Sequence, residues 1–187
     1  MKNKTIRVIL LAALGFLLSA CSSNIMVPTS NLAAIDDNYA VVSFVRPTFF
    51  GGAILFSLWD GEEFVGVLTA GSIIQFKAKP GEHVFMARGE NWSYVKANLQ
   101  AGRQYVIEGK VFPGVWKARV GLAPIDVNEP GYRAKAEDWL KNLKPITAKP
   151  ELVDGYVKPR LPQVKEALAD YNADKVKYAV MEPGFSL

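Results

Sequence analysis

The sequence predicts a mainly β protein: an antiparallel β-sandwich of about eight strands, or a small barrel, followed by a C-terminal helical, proline-rich extension. Between residues 39 and 123, short runs of β-branched and aromatic residues alternate with turn residues at regular spacing. Helical spacing of apolar residues is found only after residue 125, where proline and charge also increase. The 187-residue chain has one cysteine and therefore no internal disulfide, so a packed core must stabilise it.

The strands are predicted from their composition and from the turns between them. The first strand, Tyr39–Arg46, ends before Pro47, which cannot donate to a β ladder. The clearest hairpin joins Ala53–Trp59 to Glu63–Leu68 through Asp60-Gly61, a pair typical of tight turns. Five further strands follow, each after a glycine-containing turn: Ser72–Ala78, His83–Arg88, Trp92–Leu99, Arg103–Val111 and Val115–Ala123.

Two helices are predicted in the extension. One is Ala134–Leu143, and the other begins near Pro162 and carries an apolar stripe that ends at Tyr171. The proline-rich residues 145–162 between them favour extended backbone. Such apolar stripes usually pack on a core, so we expect the helices to cover the sandwich. The alternative is an arm that reaches a partner protein or the cell wall.

The N-terminus has the features of a secretory signal peptide. Lys2, Lys4 and Arg7 precede an apolar run, Val8–Leu18, and small residues follow it. The run is shorter than the roughly 20 residues that a membrane-spanning helix needs. We therefore predict that residues 1–20 are removed.

The end of this segment, Leu18-Ser19-Ala20-Cys21, resembles the lipobox of bacterial lipoproteins. The resemblance implies cleavage before Cys21, acylation of its thiol and amine, and, with Ser22 following, attachment to the outer membrane. We expect the domain to face the periplasm; the alternative is the cell surface. The alternative is an ordinary cleavage after Ala20 that leaves one unpaired thiol. The expected division is a lipidated tether at 21–37 that spans roughly 20 Å as a flexible coil, the sandwich at 38–126 and the extension at 127–187.

Charge argues against a nucleic-acid partner. Removing Lys2, Lys4 and Arg7 from the 22 basic residues leaves 19 against 18 acidic residues, so the mature chain is close to neutral. No Lys or Arg run elsewhere suggests binding to a phosphate backbone.

Several turns resemble those of a family of Gram-negative lipoprotein domains of unknown function. They are Arg46-Pro47, Trp59-Asp60-Gly61, Pro80-Gly81-Glu82-His83 and the segment from Ala101 to Tyr105. The likeness covers residues 39–125, and similar corners occur in carboxypeptidase-regulatory-like and PEGA-like sandwiches. The resemblance implies a fold and a location in the cell envelope, and it assigns no catalytic residue.

The sequence offers few catalytic candidates. His83 is the sole histidine, so a Ser-His-Asp or Cys-His mechanism would have to use it, yet its place after a Pro-Gly corner suggests a structural role. Asp60, Glu62 and Glu63 could act as acid and base or hold calcium, but a solvated turn explains them. We predict no enzyme, no cofactor and no metal; a hydrolase using His83 or these carboxylates is the weakest alternative.

The remaining candidates are aromatic residues in or beside turns: Phe49, Phe50, Trp92 and Trp116. They either fold back to plug the open end of the sandwich or stay exposed to contact a partner. The sequence therefore predicts a non-catalytic envelope lipoprotein that contacts another envelope protein. The alternative is a glycan- or lipid-binding module that uses these four rings.

Overall fold

The computed structural model describes residues 25–113 and 118–187. The predicted signal peptide, Cys21 and Trp116 lie outside these ranges. The described residues form eleven strands, three α-helices and one 3-10 turn. The strands are β1 (Met26–Pro28), β2 (Ala40–Arg46), β3 (Phe56–Asp60), β4 (Glu63–Leu68), β5 (Ser72–Ala78), β6 (Gly81–Arg88), β7 (Trp92–Leu99), β8 (Gln104–Phe112), β9 (Arg119–Pro124), β10 (Lys144–Ala148) and β11 (Ala179–Met181). The helices are α1 (Tyr132–Asn142), α2 (Pro150–Val157) and α3 (Leu161–Asn172), and the 3-10 turn is Pro183–Phe185.

The strands form two separate sheets and no barrel. Sheet 1 has the order β1-β10-β5-β2-β8-β9, and sheet 2 has the order β11-β7-β6-β3-β4. The prediction of a mainly β protein is confirmed. The purely antiparallel prediction is wrong, because β10–β5, β2–β8 and β11–β7 are parallel pairs. The expected number of strands is also too low, since β1, β10 and β11 lie outside the segment in which strands were predicted.

The main core lies between the two sheets. Strand alternation sends Ala40, Val42 and Phe44 of β2 inward, where they meet Phe56 and Leu58 of β3. The rings of Phe44 and Phe85 pack edge to face with their centroids 5.3 Å apart. Burial of these side chains is the principal stabilising contribution to the fold.

Helices cover the outer faces of both sheets. Ala136 and Trp139 of α1 pack on Val45, Ile73 and Val106 of sheet 1. On the other side, α3 packs on sheet 2 through buried side chains of both elements: Val164, Ala167, Trp59, Met86 and Tyr94. The protein therefore has four layers, helix, sheet, sheet and helix, and the prediction that the two helical stripes face the body is confirmed.

One helix was not predicted. α2 lies within residues 145–162, where the prolines favoured extended backbone. Pro150 occupies the first turn, where its missing N–H costs nothing, and Glu151 is placed favourably for the helix dipole. Leu152 and Tyr156, one turn apart, pack against the core.

Strand pairing does not follow the predicted boundaries at residues 37 and 126. Met26–Pro28, placed in the expected tether, pairs with β10, and the Val67 amide donates to the Met26 sulfur at 3.3 Å. β10 and β11, from the predicted extension, pair with β5 and β7. The segments on both sides of the sandwich are thus parts of its sheets.

Candidate functional site

A buried arginine closes the end of the sandwich where β2 stops. By alternation, the side chain of Arg46 follows Phe44 inward, and none of it is exposed. Its guanidinium donates to the carbonyl oxygens of Phe50 and Gly51, at 3.2 and 2.7 Å, and to that of Ile54. It also lies over the Phe56 ring, 4.9 Å from the centroid. Burial lowers the pKa of Arg46 because the charged form loses hydration.

We call residues 47–55, which Arg46 holds in place, the Phe loop. Its two rings point outward: Phe49 is 78% exposed and Phe50 is 62% exposed. Of the two alternatives, the exposed arrangement is therefore the one observed, because Arg46 already fills the end of the sandwich. One edge of the Phe49 ring rests on Gly71, where a Cβ atom would lie 2.8 Å from Phe49 Cζ.

The predicted aromatic residues are not brought together in one cluster. Trp92 lies on the outer face of sheet 2, where its ring stacks on Tyr94 with centroids 6.5 Å apart. Arg88, its partner across the β6–β7 pair, places its guanidinium 5.5 Å from the Trp92 centroid. Trp116 lies outside the described residues.

A cleft of about 1000 Å³ lies between the outer face of sheet 2 and the α2–α3 corner. Trp59 and Arg88 line it from the sheet, Leu55 from the Phe loop, and Tyr156, Arg160 and Gln163 from the helices. A smaller hollow of about 330 Å³, lined by Trp92 and Tyr94, shares Arg88 and Gln163 with it. The two hollows therefore form one concave surface, which we call the helix–sheet cleft.

Two arginines give the helix–sheet cleft its chemical character. Arg160 lies over the Tyr156 ring, 3.7 Å from its centroid, and donates to the Tyr156 carbonyl oxygen at 2.8 Å. Within the described part of the chain, neither Arg88 nor Arg160 forms an ion pair. Three carboxylates also line the cleft: Glu90 in the larger hollow, and Glu166 and Asp170 in the smaller one. Guanidinium groups beside aromatic faces suit a ligand that combines carboxylates with an apolar surface.

The sole histidine is engaged by two acceptors. His83 Nδ1 lies 2.6 Å from Asp60 Oδ2, and Nε2 lies 2.7 Å from the carbonyl oxygen of Lys79. Because both neighbours accept, both ring nitrogens donate only when the ring is protonated. The hydrogen bond to Asp60 is the main cause of a raised pKa for His83, and burial opposes it. The ring stacks on Phe85, so the histidine joins the β3–β4 hairpin to the β5–β6 corner.

The carboxylates at the tip of the β3–β4 hairpin do not converge on one point where a metal ion could bind. Asp60 faces His83, while Glu62 lies 3.4 Å from Lys165 of α3. Among residues 25–113 and 118–187, no group of three or more His, Cys, Asp or Glu side chains could hold a metal ion. In the same residues, no helix combines the length and apolarity needed to cross a membrane.

The sequence did not lead us to predict the arginines at the Phe loop and in the helix–sheet cleft. Arg46 carries a sequence signal, since its position two residues after Phe44 places it on the core-facing side of β2. Arg88 could likewise have been assigned to the face of Met86 from strand alternation. Arg160 carries no such signal, because its position depends on how α2 and α3 dock on sheet 2.

The fold and cleft define a mainly β protein of two mixed sheets with helices on both outer faces. Comparison with protein-family models, with curated proteins and with solved structures gave no match.

Proposed function

We propose that this chain is a non-catalytic lipoprotein of a bacterial envelope, anchored in the outer membrane through acylated Cys21, facing the periplasm, and binding another envelope protein in the helix–sheet cleft. The lipobox-like residues Leu18–Cys21 support the anchor. The cleft is the observation that supports the interaction, because it displays Arg88 and Arg160, and neither forms an ion pair with a carboxylate among residues 25–113 and 118–187. The type of sandwich, carboxypeptidase-regulatory-like or PEGA-like, stays a prediction.

The chemistry of the cleft indicates the kind of partner segment. In the larger hollow, two guanidinium groups against the single carboxylate of Glu90 favour an acidic partner, and exposed Leu55 beside Tyr156 offers an apolar contact. We therefore expect an acidic segment with at least one large apolar side chain. A non-catalytic role is supported by His83, whose two ring nitrogens are both held by protein acceptors.

A photo-crosslinking amino acid at Gln163, which is exposed at the cleft, tests the interaction in intact cells. We expect it to capture one discrete protein, and Arg88→Glu with Arg160→Glu should abolish the capture. The matched control is Asn142, exposed on α1 at the opposite face of the molecule. Equal capture from both positions, or none from Gln163, would contradict the proposal.

The anchor is tested separately by mass spectrometry of the mature protein. We expect a chain that begins at Cys21 and carries acyl groups on its thiol and amine. A mature chain with a free Cys21 thiol would contradict the proposal that the protein is a lipoprotein.

A glycan ligand is the second candidate, favoured by the smaller hollow. There the stacked rings of Trp92 and Tyr94 lie beside the polar side chains of Gln163, Glu166 and Asp170. Sugars are commonly bound by such combinations of ring faces and hydrogen-bonding groups.

Tryptophan fluorescence distinguishes this candidate from the first. A soluble cell-wall glycan fragment should quench the intact protein and the Trp139→Phe control, whose ring lies under α1 on the opposite side. The same fragment should have no effect on Trp92→Phe. Quenching that persists in Trp92→Phe would exclude this hollow as the site.

A further inference from the structure

A second hollow, of about 410 Å³, carries two arginines and shares no lining residue with the helix–sheet cleft. Arg103, between β7 and β8, and Arg133, of α1, line it together with the side-chain amides of Gln100 and Asn128. Residues of the C-terminal segment 183–187 complete the lining. We call it the arginine hollow.

The arginine hollow carries positive charge that protein groups do not balance. Arg103 and Arg133 are exposed, and neither forms an ion pair with any residue in the ranges 25–113 and 118–187. Among the described residues that line the hollow, none has a carboxylate side chain. Two guanidinium groups suit a phosphate group, which offers several acceptor oxygens to their planar sets of N–H donors.

Three anionic groups in the neighbourhood leave these arginines unpaired. Asp126 accepts hydrogen bonds from the backbone and side-chain amides of Asn128, at 2.9 and 2.8 Å. Asp37 Oδ1 lies 3.6 Å from the position that a Cβ atom at Gly102 would take, beside the β7–β8 turn. Leu187 is held through its side chain, which packs on the cluster beneath α1. Even with its α-carboxylate counted, the lining has a net positive charge.

The C-terminal wall of the hollow is fastened to the body. The Tyr105 hydroxyl donates to the Pro183 carbonyl oxygen at 3.2 Å, and the Asn128 side-chain amide donates to that of Gly184 at 2.7 Å. The Leu187 amide is also bonded, to a carbonyl oxygen of β8 at 2.9 Å. A ligand therefore meets walls that are already formed, which lowers the entropy cost of binding.

The arginine hollow lies at the end of the molecule from which the predicted anchor leaves. The Val41 amide donates to the Arg103 carbonyl oxygen at 2.9 Å, so the hollow is at the end where β2 begins. Met26 pairs with Ala148 of the antiparallel strand β10, β10 runs parallel to β5, and β5 runs antiparallel to β2. β1 therefore runs in the same direction as β2, and both strands begin at this end.

The segment between Cys21 and the body is short. Cys21 precedes Ile25 by four residues, and Ile25 and Met26 are buried in the body. Four residues span at most about 14 Å when fully extended. If Cys21 is acylated, as the proposed function requires, the end that carries the arginine hollow faces the lipid headgroups.

We propose that the arginine hollow binds a phosphate group, and that the headgroups of the bilayer holding the Cys21 acyl chains supply it. The phosphate site rests on the hollow alone, whereas its lipid source rests on the proposed anchor. The body is then attached to the membrane at two points of one end, and the Phe loop at the opposite end is turned away from the bilayer.

The test uses the acylated full-length protein in micelles of a detergent without phosphate, with an environment-sensitive dye on Gln100→Cys. Phosphatidylglycerol added to the micelles should change the dye emission in a saturable way. Arg103→Gln with Arg133→Gln should raise the half-saturating concentration about tenfold or more, because charge-assisted hydrogen bonds to the phosphate are lost. The matched control, Arg119→Gln with Lys144→Gln, removes two exposed cations at the opposite end and should leave this concentration unchanged.

Inorganic phosphate, added alone, identifies the source of the phosphate group. A response to phosphatidylglycerol without one to inorganic phosphate supports the lipid source. An equal response to inorganic phosphate, lost in the Arg103 and Arg133 double variant, would support the site and overturn the lipid source. No response to either probe would overturn the site, as would a response that the double variant does not weaken or that the control pair weakens equally.

Mass spectrometry of the same sample before labelling keeps this inference separate from the proposed anchor. An acylated Cys21 with no response at the hollow would overturn the site and leave the anchor standing. A free thiol at Cys21 would overturn the anchor and the lipid source, while the titration with inorganic phosphate would still decide the site.

Discussion

At the residue scale, the side chains of Arg46 and His83 hold different segments of the fold together, and the residues next to them in the sequence do not predict this role. Arg46 is a buried cation that forms no ion pair with any residue the structure describes, and carbonyl oxygens and the Phe56 ring replace part of its hydration. His83 is a strand histidine that ties two turns together by facing Asp60. Both residues link separate segments of the fold, and both links allow a direct test.

Replacing Arg46 should destabilise the fold and release the Phe loop. Arg46→Met leaves the carbonyl oxygens of Phe50, Gly51 and Ile54 without their donor, and we expect the free energy of unfolding to fall by about 2–3 kcal/mol. Urea titration measures the change. The control is Arg119→Met, an exposed arginine whose loss should cost less than about 0.5 kcal/mol. Equal losses in the two variants would refute the structural role of Arg46.

The His83–Asp60 pair should make stability depend on pH. Folding raises the pKa of His83, so the stabilisation is complete below the unfolded-state value of about 6.5 and is lost as the pH rises through the raised folded-state pKa. Urea titrations across this range should show the wild-type stability falling toward alkaline pH. His83→Gln should flatten this fall, and an unchanged slope in the variant would show that the pair does not cause it.

At the scale of single elements, packing decides which segments become helix or strand. Helix α2 forms in a proline-rich segment because its apolar side chains pack on the core. Strand β1 forms in a three-residue segment because it pairs with β10. Neither element has enough local signal to form alone. The docked elements are therefore the places where mutation tests the tertiary structure.

The α3 interface with sheet 2 should depend on Val164. This side chain is buried against Trp59 and Met86, so Val164→Ala should lower the free energy of unfolding by about 1–3 kcal/mol. Val180→Ala, at an exposed position of β11, removes the same two methyl groups and should cost less than about 0.5 kcal/mol. If the two variants were equally stable by urea titration, α3 would not be docked as described.

At the scale of the whole molecule, the body is built from both ends of the chain. Without residues 127–187, sheet 1 loses β10, sheet 2 loses β11, and both outer faces lose their helices. The exposed faces would present Trp59, Met86, Ile73 and Val106 to water.

A chain truncated after residue 126 should therefore fail to fold. We expect no cooperative thermal transition by circular dichroism and strong binding of a hydrophobic dye, whereas the full chain should unfold in a single transition. A truncated chain that unfolds cooperatively would show that residues 38–126 form an independent domain, as the sequence-based boundaries predicted.

The sequence alone located much of the β body and part of the candidate surface. The predicted first hairpin, the core face of β2 and the two amphipathic helices were readable because each depends on residues within a few positions of one another. The candidates Phe49, Phe50 and Trp92 were predicted from their positions in or beside turns. The exposure of their side chains and the fact that they do not form one cluster were not predicted. The rings of Phe49 and Phe50 are exposed because the buried Arg46 side chain occupies the end of the sandwich.

By itself, then, the sequence determined where most strands begin and end, because alternation and turn residues are local properties. Only the tertiary structure decided the parallel pairs, the places of β1, β10 and β11, and the helix–sheet cleft. These features join residues up to about 120 positions apart, such as Met26 and Ala148. Their energy comes from burial between distant segments, which no local pattern encodes.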